Sequence, residues 1–240
     1  MILDHNIDLV LATRYFFEIF TLCRPGIHQE KTRRLITFVA EMISPSSNLI
    51  LQNVARHITL DIAAQERFLS RLTHRTYKRK EYLLEVNQPC NTFNFVNQGA
   101  FRAFYRGEDD KESTIMFAMT DWWITDMPCF IAGKPAMISI ETISPGWVWQ
   151  LTKADMDTLV EEVPRFERYF RILMQNAYIR EQLRMLQTLS LPAETRYANF
   201  MEKYPSILPH VTQKHIASYL GITPEFLSVI RNKISKTPIS

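Results

Sequence analysis

The spacing of hydrophobic residues changes twice along the chain, and each change marks a change of structure. Up to about residue 74, apolar positions recur every three or four residues, for example at Leu9 to Phe20, Leu35 to Met42 and Leu51 to Ile58. This period predicts amphipathic helices. The stretch "SPSSN" at 44–48 interrupts the pattern, and we interpret it as a linker.

Between residues 75 and 152 the hydrophobic period shortens to two. Apolar and polar residues alternate along "FNFVNQGAFRAFY", and again at Ile138 to Thr142 and Trp147 to Leu151. The turn-forming clusters "NQG", "RGEDDKES" and "SPG" separate the alternating runs. Alternation between turns predicts antiparallel strands, so we expect a small β-sandwich or roll with an aromatic interior.

Residues 155–189 return to a helical period and carry a second regularity. Six positions are spaced alternately three and four residues apart, which is a heptad seam on one long helix. The seam residues are Tyr169, Ile172, Asn176, Ile179, Leu183 and Leu186. Such a seam favours a partner helix, so we expect dimerisation through it, and the alternative is an internal packing stripe. A neighbouring stripe from Phe166 to Ala177 is expected to pack against the roll.

Two short amphipathic stretches close the chain, in "QKHIASYLGITPEFLSVIRNKI" at 213–234. Gly221 follows the first stretch, where a helix that ends there needs a left-handed residue. Thr223 can then cap a second helix, Pro224 suits its first position, and Glu225 suits the positive end of its dipole. The arrangement predicts a helix-turn-helix, whose second helix can enter a DNA major groove.

Composition narrows the class of protein. Of the 240 residues, 46% are apolar and 22% are charged, as in ordinary soluble globular proteins. The net charge of +3 equals the excess of six basic over three acidic residues from Ser190 onward. That excess favours either an anionic partner for this part or a solvated surface. Three scattered cysteines, with no secretory or membrane-spanning pattern, predict a cytoplasmic protein.

The sequence carries no motif for catalysis or metal binding. The six histidines and three cysteines lack metal-ligand spacing. There is no phosphate-binding glycine loop, nucleophile elbow or paired-carboxylate motif. We therefore expect no enzyme activity, no metal and no bound cofactor.

The order of these elements and several long blocks resemble the Crp/Fnr superfamily of bacterial transcription regulators. The resemblance covers residues 49–240 and is strongest to a branch common in Bacteroidetes-type bacteria. The blocks are "YKRKEYLLEVNQ", "DWWITD", "FIAGKPA", "EEVPRFERYFRILMQNAY" and "QKHIASYLGITPEFLS". The resemblance implies a cyclic-nucleotide-binding-like jelly roll joined to a winged-helix-type domain. It also implies a homodimer that binds palindromic double-stranded DNA, with RNA polymerase as a further partner.

The predicted fold class is therefore α+β, in four parts. These are a helical N-terminal extension (1–47), the antiparallel β-roll (48–155), a connector and dimerisation helix (156–189) and a helix-turn-helix domain (190–240). The extension lies outside the resemblance and reflects either an over-long gene model or an extra helical pair that packs on the roll or a second subunit. The alternative function is a ligand-binding or protein-interaction sensor module with little sequence-specific DNA binding.

One segment departs from the pattern of relatives that respond to cyclic nucleotides. Where the phosphate-binding cassette of those relatives carries Gly-Glu and then Arg, this chain has Ile124, Thr125 and Ala136. Without a guanidinium the cyclic phosphate loses its strongest contact, so no response to cAMP is expected. The effector is unknown. The candidates for its pocket are Trp122, Trp123, Asp126, Cys129 and Lys134.

The predicted recognition helix departs as well, because relatives in this branch carry Arg where this chain has Val229. Arginine is the commonest reader of guanine, so its loss is expected to weaken or shift base preference. The candidates for contact with base edges are Pro224, Glu225, Ser228 and Asn232. The candidates for phosphate contact are Lys214, Thr223, Arg231, Lys233 and Lys236. Gln213, the first residue of the motif, completes the predicted DNA-binding set.

Overall fold

The computed structural model describes residues 45–235, and it begins with two helices. Helix α1 spans Pro45–Ala55 and α2 spans Ile62–Ser70. The predicted linker at 44–48 is therefore wrong from Pro45 onward, because proline is well suited to the first turn of a helix, where its missing N–H costs nothing. The helices predicted before residue 45 lie outside the described residues. A division into compact units falls at Gln52 and Asn53, inside α1, and the predicted boundary at residue 47 stays a prediction.

The predicted antiparallel roll is confirmed. Its strands pair antiparallel in the order β1-β6-β3-β4, with β2 added on β6 and β5 on β3. The strands are β1 Leu72–Tyr77, β2 Tyr82–Leu84, β3 Thr92–Arg106, β4 Glu112–Met119, β5 Trp122–Ile124 and β6 Ser139–Thr152. A short helix, α3, spans Met127–Ala132 between the last two strands.

Two of the three predicted turns are instead irregularities inside long strands. "NQG" lies within β3 and "SPG" within β6, where the pairing register between the two strands shifts. Here Gly99 and Gly146 pass each other so closely that a Cβ on Gly146 would lie 2.1 Å from the Gln98 carbonyl oxygen. Gly99 also has a φ of +97°, which favours glycine. A β-bulge breaks the period of two as a turn does, and this explains the error.

The interior of the roll is aromatic, as predicted. Trp123 stacks on Phe93 with 4.4 Å between the ring centroids and also contacts Phe95 at 5.3 Å. Two helices follow the roll, α4 (Lys153–Glu162) and α5 (Arg165–Ser190). The first turns of α5 bury Phe166, Tyr169 and Phe170, so this end of the connector helix belongs to the roll's core.

Three helices and a short 3₁₀ turn follow. They are α6 (Ala193–Lys203), the 3₁₀ turn Pro205–Ile207, α7 (Gln213–Leu220) and α8 (Pro224–Ser235). Their buried apolar residues join one cluster that also includes Phe117 of β4, so the C-terminal helices pack on the roll. From residue 193 to 235 the chain contains no strand, so the wing implied by the resemblance is not formed by these residues. None of the helices in the described part is long and apolar enough to cross a membrane.

Candidate functional site

Helices α7 and α8 form the predicted helix-turn-helix. The Thr212 hydroxyl accepts the N–H of His215 over 3.2 Å and caps α7. Gly221 ends α7 in the left-handed conformation, with φ 67° and ψ 36°. Two residues later the Thr223 hydroxyl accepts the N–H of Phe226 over 3.2 Å, and Pro224 begins α8. The end of α7 at Gly221 and the cap of α8 at Thr223 thus lie where the sequence predicts them.

The inner and outer faces of the motif differ sharply in burial. Ile216, Ala217 and Leu220 of α7 are buried, as are Leu227 and Ile230 of α8. The opposite face of α8 carries the exposed residues Glu225, Val229 and Asn232, at spacings of four and three. Val229, a bulky apolar side chain at the centre of this face, is 60% exposed. We call Glu225, Val229 and Asn232 the outer face of α8.

The other predicted DNA-binding residues flank this face. Ser228 and Arg231 line a groove of about 370 Å³ together with Gln213 at the start of α7. The Nζ of Lys233 lies 3.8 Å from a carboxylate oxygen of Glu194 and stays largely exposed. Lys214 is exposed in the first turn of α7. Lys236 lies outside the described residues.

The predicted heptad seam on α5 divides into a buried and an exposed part. Tyr169 is fully buried in the roll rather than on the helix surface, because its hydroxyl bonds Trp123 and Asn53. Ile172 is half-buried, and the remaining seam residues are exposed. These exposed seam residues are Asn176, Ile179, Leu183 and Leu186. Met185 and Leu189 are also exposed and widen the apolar surface beyond the heptad positions.

The predicted effector-pocket residues have different surroundings. Trp123 lies in the aromatic core, while Trp122 contacts Tyr204 at 5.9 Å between ring centroids. Lys134 is exposed. Burial raises the pKa of the Cys129 thiol to about 11, so this thiol stays protonated near neutral pH.

Asp126 is buried and bonded entirely to backbone. Its carboxylate accepts the N–H groups of Cys129 over 3.3 Å, Met137 over 2.7 Å and Ile138 over 3.2 Å. The side chain therefore caps α3 and holds the loop after Ala136 against it. Ala136 is buried and Thr125 is half-buried, and both are uncharged; they remain the predicted counterparts of the cassette Arg and Glu.

The junction between β4 and α7 is a contact that the sequence did not predict. The Ser218 hydroxyl accepts the N–H of Thr114 over 2.8 Å and donates to the Glu112 carbonyl over 2.5 Å. Beside it, Phe117 contacts the ring of Tyr219 at 5.4 Å between centroids. Ser218 carries no local signal of this role, because its partners lie 104 and 106 residues away in the chain.

A charged network lies on the roll side of the same junction. Arg102, buried in β3, bonds Glu112 over 2.6 Å and Glu141 over 2.7 Å. His215 of α7 faces this network, and its Nδ1 is buried without a hydrogen-bond partner. Desolvation, followed by the positive charge of Arg102, lowers the pKa of His215 to about 4. In the described part of the chain, no three His, Cys, Asp or Glu side chains cluster closely enough to hold a metal ion.

The comparisons with known proteins agree with this architecture. Residues 74–163 match the cyclic nucleotide-binding domain family. The chain has the Crp/Fnr fold. No curated protein matches its sequence significantly. The likeness is thus clearest in three dimensions, and the Bacteroidetes-type branch stays a prediction.

Solved structures of Crp/Fnr-type proteins share this fold at low sequence identity. One is the c-di-GMP-responsive global regulator CLP of Xanthomonas campestris, with a TM-score of 0.62 and 15% identity over 73% of this chain and 92% of that one. FixK2 of Bradyrhizobium japonicum has a TM-score of 0.60 and 16% identity, over 68% and 84% of the two chains. A regulator assigned to the crp/fnr family from Eubacterium rectale has a TM-score of 0.59 and 16% identity, over 73% and 84%.

Proposed function

We propose that this protein is a transcription regulator that binds a palindromic DNA site as a homodimer. The observation that carries the proposal is the outer face of α8, which stays exposed while Leu227 and Ile230 anchor the helix from behind. A capped helix held in this way is suited to enter a major groove. Arg231 on α8 and Lys214 in the first turn of α7 are both exposed, so their charges are accessible to the phosphates of the groove walls.

The surface of α5 supports the homodimer. Ile179, Leu183 and Leu186 are each about half exposed, and together they form one apolar stripe on a long helix. Exposed apolar stripes of this length are costly in water. A second copy of the chain presents the same heptad spacing, so two α5 helices can bury each other's stripes. Contacts with RNA polymerase, implied by the family resemblance, would follow from binding at a promoter.

DNA titrations at several salt concentrations test the proposal. We expect selection from random duplexes to yield a palindrome, whose affinity falls steeply with salt because Lys and Arg displace counterions from phosphates. Sedimentation should give a dimer, and Leu183→Glu should give a folded monomer with weakened binding. Gln182→Glu, one position away and also exposed, is the matched control and should stay dimeric. A wild-type monomer that prefers no duplex would contradict the proposal and favour the sensor module without DNA binding.

We further propose that the roll does not respond to cAMP. Thr125 and Ala136 offer neither the carboxylate nor the guanidinium that a cyclic nucleotide needs. The N–H groups of Met137 and Ile138, beside Ala136, already donate to Asp126. Calorimetric titration with cAMP should therefore give no binding at micromolar concentration, and DNA affinity should be unchanged by it. Micromolar binding would overturn this part of the proposal and leave the DNA-binding part standing.

A further inference from the structure

One arginine joins three parts of the molecule. The guanidinium of Arg184, on α5, donates to the carbonyl oxygens of Thr114 and Ile115 in β4 and to that of Tyr219 in α7. The bonds to Thr114 and Tyr219 measure 2.9 and 3.2 Å. The guanidinium also lies over the Tyr219 ring, 4.3 Å from its centroid. The guanidinium carries five N–H donors in a rigid planar fork, so it fixes the direction of its bonds to the three carbonyls, whereas a lysine ammonium donates from a single freely rotating nitrogen.

The backbone connection alone does little to fix the angle between α5 and the C-terminal helices. Helix α5 ends at Ser190 and α6 begins at Ala193, so only Leu191 and Pro192 connect them. Proline fixes its own φ, but the dihedral angles of Leu191 can turn the C-terminal helices relative to α5. Such a turn is opposed by the apolar packing of these helices around Phe117, and the hydrogen bonds of Arg184 and Ser218 to β4 add directional restraint. Arg184 follows the exposed seam residue Leu183 directly, so it lies next to the proposed dimer stripe.

We propose that Arg184 is a positioning residue that sets the distance between the two DNA half-sites. It holds α7, and through α7 the recognition helix α8, at a fixed angle to the helix that forms the dimer. In a symmetric dimer this angle determines the separation of the two α8 helices, and therefore the spacing that the palindrome must have. The inference rests on the proposed DNA-binding function and names a determinant of its specificity. Arg184 touches neither bases nor phosphates in this scheme.

The test separates spacing from affinity. A palindrome selected with the wild-type protein is compared with versions that have one or two base pairs added to or removed from the spacer, and with a single half-site. Wrong spacing forbids simultaneous binding, so the wild type should lose about 100-fold in affinity. Arg184→Ala should lose no more than about tenfold, because C-terminal helices that lack this directional restraint can adapt to each spacer. Its affinity for the single half-site should stay unchanged.

A matched control and a second variant complete the design. Arg180→Ala removes a half-buried arginine one turn earlier on α5, which packs near Trp122, and should keep the wild-type spacing preference. If Arg184→Ala does not fold by circular dichroism, Ser218→Ala is assessed by the same spacer series. A folded variant that discriminates spacers as the wild type does would overturn the inference. A wild-type protein that binds no duplex would instead contradict the proposed function itself.

Discussion

Trp123 in β5 donates its indole N–H to the hydroxyl of Tyr169 in α5 over 2.9 Å, and both side chains are buried. Tyr169 in turn donates to the side-chain oxygen of Asn53 over 2.6 Å. The amide of Asn53 donates onward to the Asp121 carboxylate over 2.8 Å. This chain of bonds fixes the start of the connector helix on the roll, and the exposed apolar part of α5 begins beyond it.

Tyr169→Phe is expected to destabilise the protein by about 1–3 kcal/mol, because the indole N–H of Trp123 and the Asn53 oxygen lose their buried partner. Urea unfolding followed by tryptophan fluorescence measures the change. Tyr178→Phe is the control, since Tyr178 lies on the same helix but is 66% exposed. It should change the free energy of unfolding by less than about 0.5 kcal/mol. Equal effects would mean that the buried network contributes nothing of its own.

The close approach of β3 and β6 at Gly99 and Gly146 can be tested with two glycine variants. Gly146→Ala would place a Cβ against the Gln98 carbonyl, and we expect a loss of about 3 kcal/mol or more, or failure to fold. Gly133→Ala, at a left-handed position with no atom within 4 Å of the added Cβ, should cost only about 1–2 kcal/mol. Thermal unfolding of both variants decides. A larger loss at Gly133 would contradict the close crossing.

Local rules recover the local structure of this chain and fail where distant segments meet. Gly221 and Thr223 bond within four residues of themselves, so the sequence alone places the end of α7 and the start of α8 correctly. The sequence pattern predicts turns at Gly99 and Gly146, which lie inside strands, because a bulge shows the same break of alternation as a turn. A bulge differs from a turn in the strand that pairs with the segment, and the neighbouring sequence does not show which strand that is.

The same limit applies to the candidate site. Tyr169 fits the heptad spacing, yet it is buried in the core, where its hydroxyl accepts the indole N–H of Trp123, a residue 46 positions earlier in the chain. Arg184 and Ser218 look like ordinary surface residues in sequence, and only the packing of α5 and α7 on β4 gives them partners. Asp126 stays a predicted effector-pocket residue, and the structure adds hydrogen bonds from backbone N–H groups that the sequence pattern does not reveal.

His215 predicts how stability changes with pH. Its pKa falls from the ordinary value of 6.5 to about 4 in the folded protein, through desolvation first and then the charges of Arg102, Lys214 and Arg79, opposed by Glu112. Between pH 4 and pH 6.5, His215 is therefore protonated in the unfolded chain and neutral in the folded protein. The stabilising effect of neutral His215 is fully present above pH 6.5 and is lost as the pH falls toward 4.

The measurement is urea unfolding at pH 7 and pH 5. The wild type should be less stable at pH 5, and His215→Gln should show a smaller difference between the two values. Desolvation raises the pKa of Glu112, but the hydrogen bonds and charges of Arg102 and Arg106 together hold it below its ordinary 4.5. This carboxylate therefore adds its own loss of stability only in more acidic solution. Parallel curves for wild type and His215→Gln would show that His215 does not cause the decline.

Val229→Arg tests what the apolar centre of the α8 outer face contributes. Valine offers only apolar contact, which suits the methyl group of thymine, whereas arginine bonds guanine bidentately. The variant should therefore select sites with guanine at one position of each half-site, with a preference of about 1–3 kcal/mol over the wild-type base. Site selection followed by binding measurements shows the change. A selected sequence identical to the wild-type site would mean that Val229 does not face the bases.

Arg231 and Glu225 are predicted to have different roles on the same helix. Arg231 lies on the flank of α8, beside Ser228 and the groove that leads to Gln213, whereas Glu225 lies in the first turn on the outer face. Within the described residues, Arg231 forms no ion pair with Glu225 or Glu202, so its guanidinium is available for a phosphate. We therefore expect Arg231 to govern affinity and Glu225 to govern base preference.

Binding-site selection and salt titrations on two variants separate these roles. Arg231→Ala should weaken binding to specific and nonspecific duplexes alike and reduce the salt slope by ~1, because one phosphate contact is lost. Glu225→Ala should change the preferred base, a cytosine whose amino group the carboxylate accepts, with a smaller loss of total affinity. If Arg231→Ala changes the selected bases and Glu225→Ala does not, α8 is rotated in the groove, and Ser228 and Arg231 then face the base pairs.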